Sequence, residues 1–253
     1  MDPVCFTIGS RPVYWYGVMV AVAFMAGIVN WIILGRKEGR DSSFACDLGF
    51  WIMLSGIVGA RITYVIADIS YFIENPWEII RLDHGGLIFY GGFVAAFLAV
   101  IIFARVKHEK LLPFCDFVTT ALPLGHAIGR IGCFLNGCCY GTLCNLTWSV
   151  CNTNTNIEGA RHPTQLYSFL LNLVVYVILL LYYPHRKRAG RVMALYLMLY
   201  PLGRFLLEFV RGDDRIRLYG FSVAQYASLF LFAAGLALWF SLPRQAPAKA
   251  SRK

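Results

Sequence analysis

The sequence predicts an all-α integral membrane protein with seven transmembrane helices, the N-terminus outside and the C-terminus in the cytoplasm. Three observations predict it. Hydrophobic residues make up 58% of the 253 residues and charged residues 15%, where a soluble domain averages roughly 25% charged. The apolar residues fall into seven runs, about 13–34, 44–67, 87–104, 112–128, 166–183, 192–210 and 221–241, each near the ~20 residues that cross ~30 Å of hydrocarbon. Finally, Lys and Arg alternate between rich and poor loops, which sets the orientation.

The first run reads as a retained helix. No Lys or Arg occurs in the first ten residues, and the run is longer than the core of a cleavable signal. The fourth run is the shortest. Gly and Pro inside these runs are compatible with helix, because neighbouring helices can satisfy the freed backbone groups. The loops containing Arg36–Arg40, Arg105–Lys110 and Arg186–Arg191, with the tail, hold fourteen of the 23 Lys and Arg; the opposite side holds seven, and Arg61 and Arg204 lie inside helices. The richer side is cytoplasmic. One membrane domain is expected over 1–243, followed by a basic, disordered cytoplasmic tail over 244–253. The net charge of +9 does not indicate nucleic-acid binding, since it sits in short clusters between apolar runs.

This topology gathers polar side chains in the outer half of the bilayer. Arg61 falls in the outer half of the second span, and Arg204 and Glu208 in that of the sixth. His84 sits just outside the third span and Arg130 just after the fourth. Tyr16 begins the first and Gln165 the fifth. Ionisable groups in a membrane are costly and mark sites, although Arg61 or Arg130 alone could equally snorkel to headgroups. Tyr200, Arg204, Glu208 and Arg211 are spaced to share one helix face. Arg204 and Glu208 either lock helices together or form an oriented guanidinium able to grip a phosphate through two parallel bonds. The glycine-rich segments His84–Gly92 and Gly129–Gly141 suit either close helix packing or backbone anion binding.

Five of the eight cysteines fall in 133–151. No CxxC pair occurs, so no metal site is expected. A Cys144–Cys151 staple and free thiols both remain open, as sequence does not fix connectivity.

Gly129–Gly141 resembles the signature segment of the bacterial prolipoprotein diacylglyceryl transferases. His84-Gly85-Gly86 with Tyr90-Gly91-Gly92, Tyr14–Gly17, Gly59-Ala60-Arg61, His162–Tyr167 and Gly203–Glu208 resemble further family segments, in family order. The resemblance implies transfer of the diacylglyceryl group of phosphatidylglycerol to the lipobox cysteine of a prolipoprotein signal peptide. It places the chain in the bacterial inner membrane, with its site open to the outer leaflet and without metal or soluble cofactor. It makes Arg130 and Arg204 the essential arginines and His84 the proposed base. Tyr16, Arg61, Asn136, Gly141, Gln165 and Glu208 become substrate-binding or supporting residues. The chain departs from the family pattern at Cys133, where Asn is common, at Cys138, where Glu is common, and at Ser168, where an acid is common. A transporter or channel, and an inactive lipid- or peptide-binding relative, are the competing readings. Polar residues confined to one side count against the first, and the presence of Arg130, Arg204 and His84 against the second.

Overall fold

In the computed structural model each apolar run becomes a helix long and apolar enough to cross a membrane, seven in all among the described residues: Trp15–Lys37, Ser42–Ala67, Phe89–Val106, Leu111–Leu135, Thr164–His185, Arg191–Val210 and Val223–Ser241. The structure describes residues 3–9, 11–81, 85–151, 159–213, 215 and 217–242. His84 and the basic tail lie outside them. In chain order the elements are a hairpin of β1 (Val4–Ile8) and β2 (Arg11–Tyr14), then α1 (Trp15–Lys37), α2 (Ser42–Ala67) and the short α3 (Ile69–Glu74). A 3-10 turn at Pro76–Ile80 leads to α4 (Phe89–Val106), α5 (Leu111–Thr119) and α6 (Leu122–Leu135). The two-residue strands β3 (Val150–Cys151) and β4 (Ala160–Arg161) precede α7 (Thr164–Tyr182) and α8 (Arg191–Leu207). The ribbon of β5 (Arg217–Leu218) and β6 (Phe221–Ser222) precedes α9 (Val223–Ser241).

The fourth span corrects the sequence reading. It continues as α6 to Leu135, so Arg130 lies within the helix rather than after it. The Gly129–Gly141 segment had suited either close helix packing or backbone anion binding. A Cβ at Gly132 would stand 3.0 Å from the Met19 Cβ and 3.2 Å from the Tyr16 Cα. The glycine therefore lets α6 lie against α1, which is how small residues serve membrane helices. Half of this span is buried, the largest share of the seven.

By contact the chain divides into two units, residues 32–114 and residues 1–31 with 115–253. In the first, α2 and α4 meet along a seam of small residues. A Cβ at Gly59 would come within 2.3 Å of the Ala95 Cβ, and one at Gly92 within 2.8 Å of the Gly56 carbonyl oxygen. Asp41 caps α2 through the Ser42 N–H at 2.7 Å. At the other end of α2, Arg61 is 7% exposed. Its Nε donates to the Ile79 carbonyl at 2.9 Å, Nη1 to Gly85 at 2.7 Å and Gly86 at 3.1 Å, and Nη2 to Arg81 at 2.8 Å and to Glu78. Gly85 and Gly86 have φ of 77° and 79°, a region that favours glycine. Arg61 thus gathers both edges of the segment that carries His84.

In the second unit, polar groups fasten otherwise apolar helices. Asn30 donates to Thr120 Oγ1 at 2.8 Å and accepts from the Tyr176 hydroxyl at 3.1 Å. Asp116 is fully buried and accepts from the main-chain N–H groups of Gly190 at 2.7 Å and Met193 at 2.9 Å. It acts as a cap supplied from another helix, satisfying orphan donors at the start of α8 where a negative charge is favoured. Gly203 sits against Leu171, and Gly235 against Leu197, so α8 packs closely on α7 and α9.

Candidate functional site

Two helix faces define the site. On α6, His126, Arg130 and Cys133 follow at intervals of four and three; on α8, Tyr196, Tyr200 and Arg204 follow at intervals of four, continued by Glu208 just past the helix end. Each set therefore projects on one side of its helix. The faces meet in a ring stack. His126 lies on Tyr200 with centroids 5.0 Å apart, and Tyr200 lies on Tyr196 at 5.4 Å. Arg130 lies one turn beyond His126 on α6 and Arg204 one turn beyond Tyr200 on α8, so the stacked rings bring the two arginine-bearing faces together. The two arginines singled out from sequence are brought around the same pair of rings.

Their hydrogen bonding differs. Arg204 donates from Nη1 to Glu208 Oε2 at 2.5 Å, with Glu208 almost fully buried. Arg130 makes only a 4.0 Å approach from Nη1 to the Cys133 sulfur, and its buried Nε has no hydrogen-bond partner among the described residues. A buried donor left unpaired costs about 1–3 kcal/mol. An anionic oxygen placed there would remove that cost. Arg161 also has a buried unpaired Nε, but its Nη1 donates to the Gly141 carbonyl at 3.3 Å and its guanidinium covers the Tyr140 ring.

Beyond α8, Arg211 forms a two-pronged pair with Asp213, at 2.9 and 2.7 Å. Arg215 reaches Asp213 at 3.0 Å and lies 3.5 Å from Glu208 Oε1. Burial alone would raise the Asp213 carboxyl, yet the bonds from Arg211 and Arg215 hold it below the ordinary carboxylate range. Burial would likewise pull Arg211 down, but Asp213 and Cys139 hold it above its ordinary range. Three arginines, Arg204, Arg211 and Arg215, thus face two carboxylates, Glu208 and Asp213, leaving the cluster cationic.

The segment after α6 closes one side. Asn136 caps α6 and Gly137 turns with φ of 75°. The Cys138 and Cys139 carbonyls accept from Gln165 Nε2 at 2.6 Å and Thr164 Oγ1 at 2.7 Å. Gln165 therefore holds this segment from the start of α7. Gly141 is wedged between strands of backbone: a Cβ there would meet the His162 Cβ at 2.5 Å and the Val210 carbonyl at 2.8 Å. Tyr16, half exposed at the start of α1, packs against α6 at Gly132, where a Cβ would stand 3.2 Å from the Tyr16 Cα.

Tyr16, Arg130, Asn136, Gly141, Gln165, Arg204 and Glu208 all belong to the unit of residues 1–31 and 115–253, while Arg61 belongs to the other. His84 lies outside the described residues. Sequence reasoning did not single out His126, although its spacing from Arg130 and Cys133 was readable. It also gave no role to the Asp213 pair. All eight cysteines are free, which removes the Cys144–Cys151 staple. A surface depression is found in each unit. One is lined by Arg161, His162 and Gln165, the other by Arg61, Tyr64 and Asp68. Neither is lined by Arg130 or Arg204.

Seven membrane-crossing helices with arginines drawn inside them define a multi-pass membrane protein with an internal cationic site. The family described as prolipoprotein diacylglyceryl transferase matches residues 3–241. Relatives named phosphatidylglycerol–prolipoprotein diacylglyceryl transferase align over nearly their whole length. The one from Clostridium tetani is 33% identical, over 93% of this chain and 96% of its own. That from Pseudoalteromonas translucida is 35% identical over 100% and 97%. That from Methylobacillus flagellatus is 36% identical over 93% and 94%. The chain belongs to the prolipoprotein diacylglyceryl transferase family, a family of membrane transferases.

Proposed function

We propose that this chain transfers the diacylglyceryl group of phosphatidylglycerol to the lipobox cysteine of prolipoprotein signal peptides. The thiol loses its proton and attacks the glyceryl carbon that bears the phosphodiester. A C–S bond forms, the C–O bond to phosphate breaks, and glycerol phosphate leaves. Negative charge grows on the departing phosphate, and fixed positive groups aimed at developing charge are usually the largest catalytic contribution. The unpaired, buried Arg130 Nε, one turn beyond the His126 ring that stacks on Tyr200 of the Arg204 helix, is the observation that carries this reading. Glu208 orients Arg204, Gln165 holds the Asn136–Gly141 wall, and Tyr16 packs on α6 at Gly132, two residues from Arg130. His84 takes the thiol proton, a role that rests on the family resemblance and an ordinary histidine pKa near 6.5.

The setting is the bacterial inner membrane, with the N-terminus outside, the site facing the outer leaflet and the C-terminal tail in the cytoplasm. The fourteen-to-seven distribution of Lys and Arg supports that orientation. The test is transfer of labelled diacylglyceryl from phosphatidylglycerol to a lipobox peptide by the purified protein. One glycerol phosphate should appear per thioether formed. A folded, lipid-supplied protein that forms no thioether would overturn the reading.

A further inference from the structure

Cys133, Cys138 and Cys139 place their three sulfur atoms within 4.8 Å of one another. We propose that they form a binding site for a thiophilic d10 cation, with zinc as the probe ion. The placement comes from the backbone. The helix ends at Leu135, and Gly137 and Cys139 both adopt positive φ, 75° and 65°. For a residue other than glycine this conformation is uncommon, and strain of this kind clusters at functional sites. The turn folds the chain back on the helix end, so that the Cys138 N–H donates to the Cys133 carbonyl at 3.2 Å. Gln165 and Thr164 then fasten the carbonyls of Cys138 and Cys139 from another helix. Such outer contacts orient ligands in metal sites.

The dimensions fit. A tetrahedral zinc–thiolate centre has Zn–S distances of about 2.3 Å and hence sulfur separations of about 3.8 Å. The three sulfurs therefore need to close by about 1 Å at most. A disulfide would use only two of the three. Each protonated thiol releases its proton on binding the ion, and a water can fill the fourth position. Zinc with three thiolates carries one net negative charge. Arg130 Nη1, 4.0 Å from the Cys133 sulfur, stands where it would balance that charge. Cys133 is buried and the other two are partly covered, which favours retention over exchange with solvent.

The test uses the full chain in detergent, reduced and stripped with a chelator, and does not depend on transferase activity. Titration with cobalt(II) should give one equivalent bound with a thiolate-to-metal charge-transfer band, displaced by zinc. Cys133→Ser, Cys138→Ser and Cys139→Ser should each weaken zinc binding at least tenfold, whereas Cys151→Ser should not. Should a serine variant fold poorly, zinc protection of the wild-type thiols against alkylation, mapped by mass spectrometry, answers the question without substitution. Absence of the charge-transfer band, unprotected thiols at 133, 138 and 139, or equal zinc binding after all three are replaced would each overturn the proposal. So would reduced protein that binds no cobalt and, in air, loses two hydrogens to a disulfide within the trio.

Discussion

Replacing Arg204 with lysine separates charge from geometry. The guanidinium has five N–H donors in a planar fork; Nη1 is engaged by Glu208 at 2.5 Å, and the proposed grip on the phosphate uses the others. Lysine at 204 keeps the charge and can still pair with Glu208, so the buried carboxylate is not abandoned. It loses the two parallel bonds of the fork. A hydrogen bond to a charged group contributes about 1.5–3 kcal/mol. Losing one or two gives about 1.5–6 kcal/mol, a fall in kcat/KM of about 10-fold to 10⁴-fold. The assay is transfer of labelled diacylglyceryl to a lipobox peptide, with thermal unfolding in detergent to show that the variant is intact. An intact Arg204→Lys protein within about threefold of wild type would refute the bidentate grip, since that loss is below the value of one such bond.

Three further outcomes are expected. His84→Asn should lose most activity near neutral pH and recover part of it as pH rises, because the substrate thiol then ionises unaided near its pKa of about 8.5; a pH-independent loss would assign His84 a supporting role. Asp213→Asn should lower the unfolding temperature at neutral pH. The folded Asp213 carboxyl lies below its ordinary 3.8, so its stabilisation is present above that value and is lost as pH falls through the folded pKa; the two proteins should therefore converge in acid, and a constant gap would show that the ion pairs contribute nothing. Reporter fusions after residues 38 and 187 should both read cytoplasmic, and an external reading at either would reverse the orientation.

Seven helices were legible because twenty-residue apolar runs have few alternatives to spanning a membrane. The end of the fourth was missed because its unbroken apolar run stops at 128, and the packing of Tyr16 and Met19 against Gly132 of α6 is tertiary. Gly91 and Gly92 had read equally well as anion-binding backbone. In the structure they carry the α2–α4 seam, where a Cβ on Gly91 would meet Thr63 Oγ1 at 1.8 Å. Arg204 stood out because charge inside an apolar run is rare, and Arg130 because it falls at the same depth just past one. His126 did not, since its stacking partner Tyr200 belongs to another helix, and that pairing is tertiary. The three-sulfur cluster escaped because rules for metal spacing look for CxxC, whereas here two positive-φ residues gather thiols spaced five and one apart. Arg61 looked like a site residue by depth, but its donors are engaged by the main chain around Gly85.

The central claim is that Arg130 and Arg204 hold one phosphate together. A double-mutant cycle on kcat/KM, using Arg130→Lys, Arg204→Lys and the pair, addresses it directly. Residues sharing a ligand couple by about 0.5–3 kcal/mol, whereas independent sites add within about 0.3–0.5 kcal/mol. The account predicts that the double variant loses clearly less than the product of the single losses, because the first substitution has already broken the shared grip. Losses that multiply within error would place the two arginines in separate roles and contradict the shared site.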